Sequence, residues 1–352
     1  MGYSTGMASM KLSTQISYGD DPRATAESVV EMEKAGLDIV WVAEAYSFDA
    51  VSTMGYLAAR TERVEIGSGI LPIYSRTPTL TAMTAASLDA LSGGRFVLGL
   101  GASGPQVIEG FHGVPYDKPV ARTREVVEIC RKVWARERVT HHGLYEIPLP
   151  EDRGTGLGKP LKLINHPVRA DIPVWIAALG ERNVAMTAEI ATGWLPHVVV
   201  PEKVREVFGP ALEEGFAKRD PALGPLQMTG GGFLAVDDDM IVHARNAARA
   251  MFALYIGGMG ARGRNFYNTV FARQGYPDAA RTVQDLYLDG RKEEAAAALP
   301  EEFVDGMTLT GPPGKLRERI ASLAEAGVTH LHVSPVSKDP VGLLGQVREW
   351  LG

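Results

Sequence analysis

Cysteine is almost missing from this chain: one, Cys130, stands among 352 residues. No disulfide can form within the chain, which fits a reducing compartment. Its setting, REVVEICRKVW, is helical and apolar, so Cys130 reads as a core residue and not as a nucleophile. Long hydrophobic runs are lacking too. None approaches the roughly 20 residues of a membrane span. The opening MGYSTGMASM has neither the basic start nor the apolar stretch of a secretory leader. Residues 1–10 are expected to be a disordered lead-in to one domain over 11–352, and the cytoplasm is the expected location. An excess of one charge is absent as well. Lys and Arg number 36 against 42 Asp and Glu, a formal charge of -6. That is too mild for a nucleic-acid or anionic-membrane surface. The histidines are scattered and show no metal-ligand spacing, so no metal is expected. His330-x-His332, on one face of an expected strand, is a faint metal hint that packing explains better. No Ser-His-Asp or Cys-His arrangement stands out.

What is present is a composition of 45% apolar and 22% charged residues, that of an ordinary globular protein with room for a large core. Strand and helix alternate. Strands are expected at Leu12–Ser17, Asp38–Glu44, Arg63–Leu71, Phe96–Gly101, Pro173–Ala178, Gly193–His197, Leu226–Val236 and Thr329–Pro335. Asp21-Pro22 gives a helix its cap and first residue, and Gly36 ends it. Further helices are expected over Ala50–Arg60, from Thr77-Pro78 to LSGGR, over Val120–Arg136 and over 201–219. Residues 141–172, rich in Gly, Pro and polar groups, are too long for a simple connection and read as an insertion. Residues 240–320 read as mostly helical, with a helical insertion at 258–305. Eight strands alternating with helices predict an α/β fold, a (β/α)8 barrel with insertions. A doubly wound open sheet is the alternative, and strand count and length favour the barrel.

Several stretches carry candidate chemistry. GLGASG, Gly99 to Gly104, matches G-x-G-x-x-G after a strand, but Pro105 follows and no acidic strand end comes about 20 residues later. A flat ligand approaching backbone there competes with a plain tight turn. IGSGILP, Ile66 to Pro72, has two glycines at a strand end, either a bulge against a planar ring or a barrel corner. PVWIAALGERNVAMTAEIATGW turns tightly at Ala178-Leu179-Gly180 into a helix. Its first amides either reverse the chain or seat a phosphate. Arg182 adds charge to that turn, and Glu181 opposes an anion. Barrel catalysis gathers at the C-terminal strand ends. There stand Glu44, then Ser103 and Gln106, then Glu109 and His112, the last two being candidate general acids or exposed loop residues.

Taken together, the stretch Leu88–Trp134 closely resembles the luciferase-like monooxygenase superfamily. It is most similar to its actinobacterial coenzyme F420-dependent branch, akin to methylenetetrahydromethanopterin reductase. GLDIVWVAEAY, VEIGSGILP, RTPTLTAMTAASLDALSGGR and ADIPVWIAALGERNVAMTAEIATGWLP extend the resemblance over most of the chain. The resemblance implies a barrel with a deazaflavin or flavin at its C-terminal mouth. It implies a non-prolyl cis bond, here Gly69-Ile70, bulging against the ring. It implies a phosphate held by the turn Leu179-Gly180-Glu181-Arg182-Asn183, after Ala178. Relatives often carry Asp-His at the end of strand two. Here the pair is Glu44-Ala45, so the histidine's part is absent or taken over by Tyr46, Gln106, Glu109 or His112.

The expected cofactor contacts are Glu44, Ala45, Gly69, Ile70, Ser103, Gly104 and Gln106 on one side, and Ala178, Leu179, Gly180, Arg182 and Asn183 on the other. Glu109 and His112 are the expected catalytic residues. The leading expectation is hydride transfer between coenzyme F420 and a small organic substrate walled by the 141–172 and 258–300 segments. An FMN-dependent monooxygenase and a non-catalytic flavin-binding protein are the alternatives. A homo-oligomer, in the simplest case a dimer, is expected.

Overall fold

The computed structural model describes residues 10–16, 19 and 21–352. Residues 1–9, 17, 18 and 20, hence most of the expected lead-in and the end of the first expected strand, lie outside the described residues. Met10, the last residue of that stretch, is buried.

The strands are β1 (Lys11–Gln15), β2 (Ile39–Val42), β3 (Glu65–Ser68), β4 (Leu71–Pro72), β5 (Phe96–Gly101), β6 (Val174–Ala177), β7 (Gly193–Trp194), β8 (Gln227–Ala235), β9 (Thr308–Thr310) and β10 (His330–Pro335). They follow in the hydrogen-bonded order β10-β1-β2-β3-β5-β6-β7-β8-β9, and β10 also pairs with β8. With the helices that separate them, this is a (β/α)8 barrel and not an open doubly wound sheet. Two expectations need correcting. The third expected strand is broken into β3 and β4, which flank the cis Gly69-Ile70 bond. The mostly helical 240–320 region contains β9, which pairs in parallel with β8 from Phe233↔Thr308 to Ala235↔Thr310. Three residues are too short for a hydrophobic period to reveal.

The chain divides into two compact units. One takes in β1, residues 31–39 and Ala177–Gly352; the other takes in Ile16–Val30 and Val40–Ile176. In the first unit, β1 pairs with β10 from Lys11↔His330 to Ser13↔His332. The 258–305 segment is helical: Phe266–Arg273, Pro277–Leu288, Lys292–Ala297 and Glu301–Gly306. Its apolar faces close on Phe252, Phe271 and Phe303, whose rings meet edge to face at 5.1 and 4.7 Å, a favourable aromatic geometry. Buried Gln274 accepts from the Val200 amide and donates to the Val198 carbonyl, both at 2.8 Å. The loop after β7 is thereby pinned to this helical core.

In the second unit, Trp41 of β2 meets Trp175 of β6 at 5.3 Å between ring centroids. Gly67 is required beside them, because a Cβ there would lie 2.4 Å from the Trp41 ring. Thr77 caps the helix Pro78–Leu91 through the Leu80 amide. Cys130 is buried in the helix Pro119–Trp134 as expected, and burial pushes its thiol up. Residues 141–172 form only a His141↔Ile147 bridge and one short turn of helix, Glu151–Arg153. Glu125 anchors this segment. Its carboxylate accepts from the Leu144 and Tyr145 amides and meets His141 Nε2, each at 3.0 Å. Burial alone would raise the Glu125 pKa, yet those amides and His141 hold it below the usual carboxylate value.

Candidate cofactor site

The second unit gathers the expected residues at the C-terminal ends of β2, β3 and β5. At the end of β2, Glu44 is nearly buried and forms a two-pronged pair with Arg76, Nη1 to Oε1 at 2.5 Å and Nη2 to Oε2 at 2.9 Å. It also accepts from the Ala50 amide at 3.0 Å, at the start of the helix Ala50–Arg60. Both carboxylate oxygens are therefore committed within the protein. Ala45 beside it offers only a methyl group. A cavity of about 390 Å³ opens here, lined by Ile16, Val42, Ala43, Tyr46, Phe48 and Ala50 among others. Tyr46 is largely exposed, 6.3 Å from the Phe111 ring.

The Gly69 amide donates to the Val42 carbonyl at 2.8 Å, tying the cis bond to the end of β2. After β5 the backbone turns through Ser103, whose φ of 56° is left-handed. Gly104 then starts the short helix Pro105–Ile108, and a Cβ on it would meet nothing within 4 Å. Ser103 accepts from the Tyr116 hydroxyl through its carbonyl at 3.3 Å. Gln106 is exposed and makes no side-chain hydrogen bond among the described residues. Glu109 and His112 are turned to different neighbours. Glu109 Oε1 accepts from the Tyr116 amide at 3.2 Å. His112 packs edge-on against Phe111 at 5.3 Å, and its Nε2 is buried without a partner.

In the first unit, Ala178 is buried and its carbonyl accepts from Trp194 Nε1 at 2.9 Å. Leu179 leads into Gly180, the cap of the helix Glu181–Ile190, which has no side-chain cap. The first amides of that helix therefore keep their donors for something else. A Cβ on Gly180 would meet nothing within 4 Å. Glu181, which argued against an anion at this turn, pairs with Arg273 at 2.8 Å. Its charge is thus drawn aside and neutralised. Arg182 is exposed and has no ion pair among the described residues. The Asn183 amide oxygen is buried without a partner, and the amide turned over would present its NH2 instead. This donor-rich turn, with one free arginine beside it, is suited to a phosphate.

Sequence reasoning missed three features here. Arg76 as the partner of Glu44 and Arg273 as the partner of Glu181 are tertiary pairings that no spacing announces. The packing of His197 against the Tyr255 and Tyr267 rings, at 4.2 and 5.8 Å in the first unit, had no signal in spacing either. Among the described residues no group of side chains is arranged to hold a metal, and no helix is long and apolar enough to cross a membrane.

The luciferase-like monooxygenase family model matches residues 4–330. The chain belongs to this family. A Mycobacterium tuberculosis protein, named by assignment as a coenzyme F420-dependent oxidoreductase, is 42% identical over 340 residues, covering 95% of this chain and 97% of its own. The 5,10-methylenetetrahydromethanopterin reductase of Archaeoglobus fulgidus is 29% identical over 325 residues, covering 89% and 91%. Among solved structures, the coenzyme F420-dependent tetrahydromethanopterin reductase of Methanopyrus kandleri superposes with a TM-score of 0.79 at 23% identity, over 97% of both chains. Membership in the luciferase-like family agrees with the barrel.

Proposed function

We propose that this chain is a coenzyme F420-dependent oxidoreductase acting on a small organic molecule. The observation that carries the reading is the turn Leu179–Asn183, whose open amides and Arg182 lie free while Glu181 is held off by Arg273. A phosphate-bearing cofactor fits that chemistry, and the name of the 42% identical relative favours the deazaflavin among such cofactors. When bound, the deazaflavin supplies hydride chemistry at its C5.

The residues have separate tasks. Ala178, Leu179, Gly180, Arg182 and Asn183 bind the phosphate end. Gly69 and Ile70, with Ser103, Gly104 and Gln106, offer backbone and small groups to the flat ring. Ala45 leaves room, and Glu44 acts through Arg76 by fixing the strand-two loop. Glu109 or His112 moves the proton. The protein works in the cytoplasm as a homo-oligomer, most simply a dimer, and light scattering of the purified protein checks the latter.

Fluorescence titration of the purified protein with F420 and with FMN tests the reading. F420 is expected to bind more tightly. Tight FMN binding with no measurable F420 binding would transfer the chain to the flavin-dependent monooxygenases of the same family.

A further inference from the structure

Within the second unit, the loop that follows β5 holds one residue in a costly conformation. Ser103 has a φ of 56°. In that left-handed region an L side chain crowds the backbone, and the conformation persists only where its surroundings enforce it. The Ser103 carbonyl accepts from the Tyr116 hydroxyl at 3.3 Å. Burial pushes the Tyr116 pKa up, so the hydroxyl keeps the proton that it donates. The peptide bond from Ser103 to Gly104 is trans. In a trans peptide the carbonyl and the following N–H point in opposite directions. With the Ser103 carbonyl turned to Tyr116, the Gly104 N–H is turned away from it. That N–H has no acceptor among the described residues, and Gly104 is half-buried. A backbone donor so placed needs a partner from outside the chain.

Tyr116 also reaches the far end of the same loop. Its backbone amide donates to Glu109 Oε1 at 3.2 Å. One residue thus meets both Ser103 and Glu109. Tyr116 is fixed in turn by what surrounds it. Its ring packs on that of Tyr74, with centroids 5.2 Å apart. Tyr74 is nearly buried and donates its hydroxyl to the Asp117 carbonyl, next in the chain to Tyr116, at 2.7 Å. The Asp117 carboxylate accepts from Arg122 Nε and Nη2 at 3.0 and 2.7 Å. The Arg122 guanidinium lies 5.7 Å from the Tyr74 ring centre and 5.4 Å from that of Tyr145, within cation–π range. Tyr74 stands two residues past β4, and Arg76, two further on, fixes Glu44. The loops after β2, β4 and β5 are therefore braced by one connected set of contacts. Packing accounts for the Tyr116 ring, which a phenylalanine would fill as well. The hydroxyl is accounted for only by Ser103.

We propose that Tyr116 is a positioning residue of the cofactor site. Its hydroxyl fixes the Ser103–Gly104 peptide so that the Gly104 N–H faces an acceptor oxygen of the cofactor's ring, and its own amide holds Glu109. Tyr116 itself touches neither the cofactor nor the substrate. The assignment rests on the cofactor reading above, and it names what aims the backbone of that site.

The test removes the hydroxyl alone. Tyr116→Phe keeps the ring against Tyr74 and the amide on Glu109. Fluorescence titration of the purified variant should show F420 affinity reduced roughly 2- to 13-fold, the range of one neutral hydrogen bond. Ser103→Gly in the Tyr116→Phe background should recover part of that loss, because glycine takes the left-handed conformation without steric cost. In 15N-glycine-labelled protein, F420 should move the Gly104 amide signal of the parent and move it less in the Phe variant. Gly104→Ala, whose added Cβ would meet nothing within 4 Å, identifies that signal by its loss. Two outcomes overturn the proposal. One is unchanged F420 affinity in the Phe variant, whether or not its thermal midpoint falls, since Tyr116 would then serve stability alone. The other is a Gly104 amide that F420 leaves in place in the parent. Failure of the cofactor reading looks different: the parent then binds FMN and not F420, and the same variants titrated with FMN decide the role of Tyr116. A parent that binds neither overturns both.

Discussion

At the residue scale, the phosphate turn and the tryptophan pair show two different uses of glycine. Gly180 faces open space, so a larger side chain fits the free protein and collides only with a ligand. Gly180→Val is expected to abolish most F420 affinity while leaving the thermal midpoint of the cofactor-free protein unchanged. Arg182→Ala removes one charge-assisted contact worth roughly 1.5–3 kcal/mol, a loss of about 10- to 150-fold in affinity. Fluorescence titration with F420 measures both, and wild-type binding by both would place the phosphate elsewhere. Gly67 is the opposite case. A methyl group there meets the Trp41 ring at 2.4 Å, so Gly67→Ala should destabilise the protein by roughly 1–3 kcal/mol by overpacking. Urea unfolding checks this, and an unchanged midpoint would mean that the Trp41–Trp175 pair shifts freely. Much of this was legible beforehand. Gly69-Ile70 was marked by the family resemblance, and Gly180 by a tight turn into a helix that chain reversal alone could also explain. The fate of Glu44 and Glu181 was not legible, because each is decided by an arginine that reaches it through the fold.

At the element scale, the boundaries that carried a local signal agree with the structure. The helix Ala50–Arg60 and the strand Phe96–Gly101 match residue for residue, and Thr77 caps its helix as the Thr-Pro pair implies. β7 is shorter than expected, Gly193–Trp194 against Gly193–His197, because Pro196 lacks the amide a ladder needs. β9 exists only through its pairing with β8. The 141–172 segment has almost no regular structure, and Glu125 substitutes for it by binding two amides and a histidine. Glu125→Gln removes the charge from that junction. The Leu144 and Tyr145 amides should then exchange with solvent about 5- to 30-fold faster, for a local loss of roughly 1–2 kcal/mol. Hydrogen exchange read by mass spectrometry over 141–147 tests it. Unchanged exchange would show that the bridge between His141 and Ile147 suffices.

At the scale of the whole molecule, the histidines couple stability to acidity. Burial depresses His197 and His332 to about 4, and His330 to about 3, whereas an unfolded histidine titrates near about 6.5. Between those values the unfolded chain holds protons that the folded one refuses. Stability should therefore be full above about pH 6.5 and decline as the pH falls. The slope reaches at most about 4 kcal/mol per pH unit when three protons are involved. It should flatten below about pH 3, once the folded histidines also take up protons. Urea midpoints at pH 7.5, 6.5 and 5.5 would show the decline, and His330→Gln should lessen it. A flat response between pH 7.5 and 5.5 would mean that these rings are charged in the folded protein. The pairing of β1 with β10 reaches further, into the making of the protein. Ser13 and Leu331, joined through the Ser13 hydroxyl, lie 318 positions apart. At about 5–20 residues per second, a ribosome needs roughly 15–60 s to cover that distance. For most of that time β1 has left the exit tunnel and β10 has not been translated. The unpaired edge of β1 is then a ready template for other chains, so nascent-chain chaperones are expected to guard β1 until β10 is made.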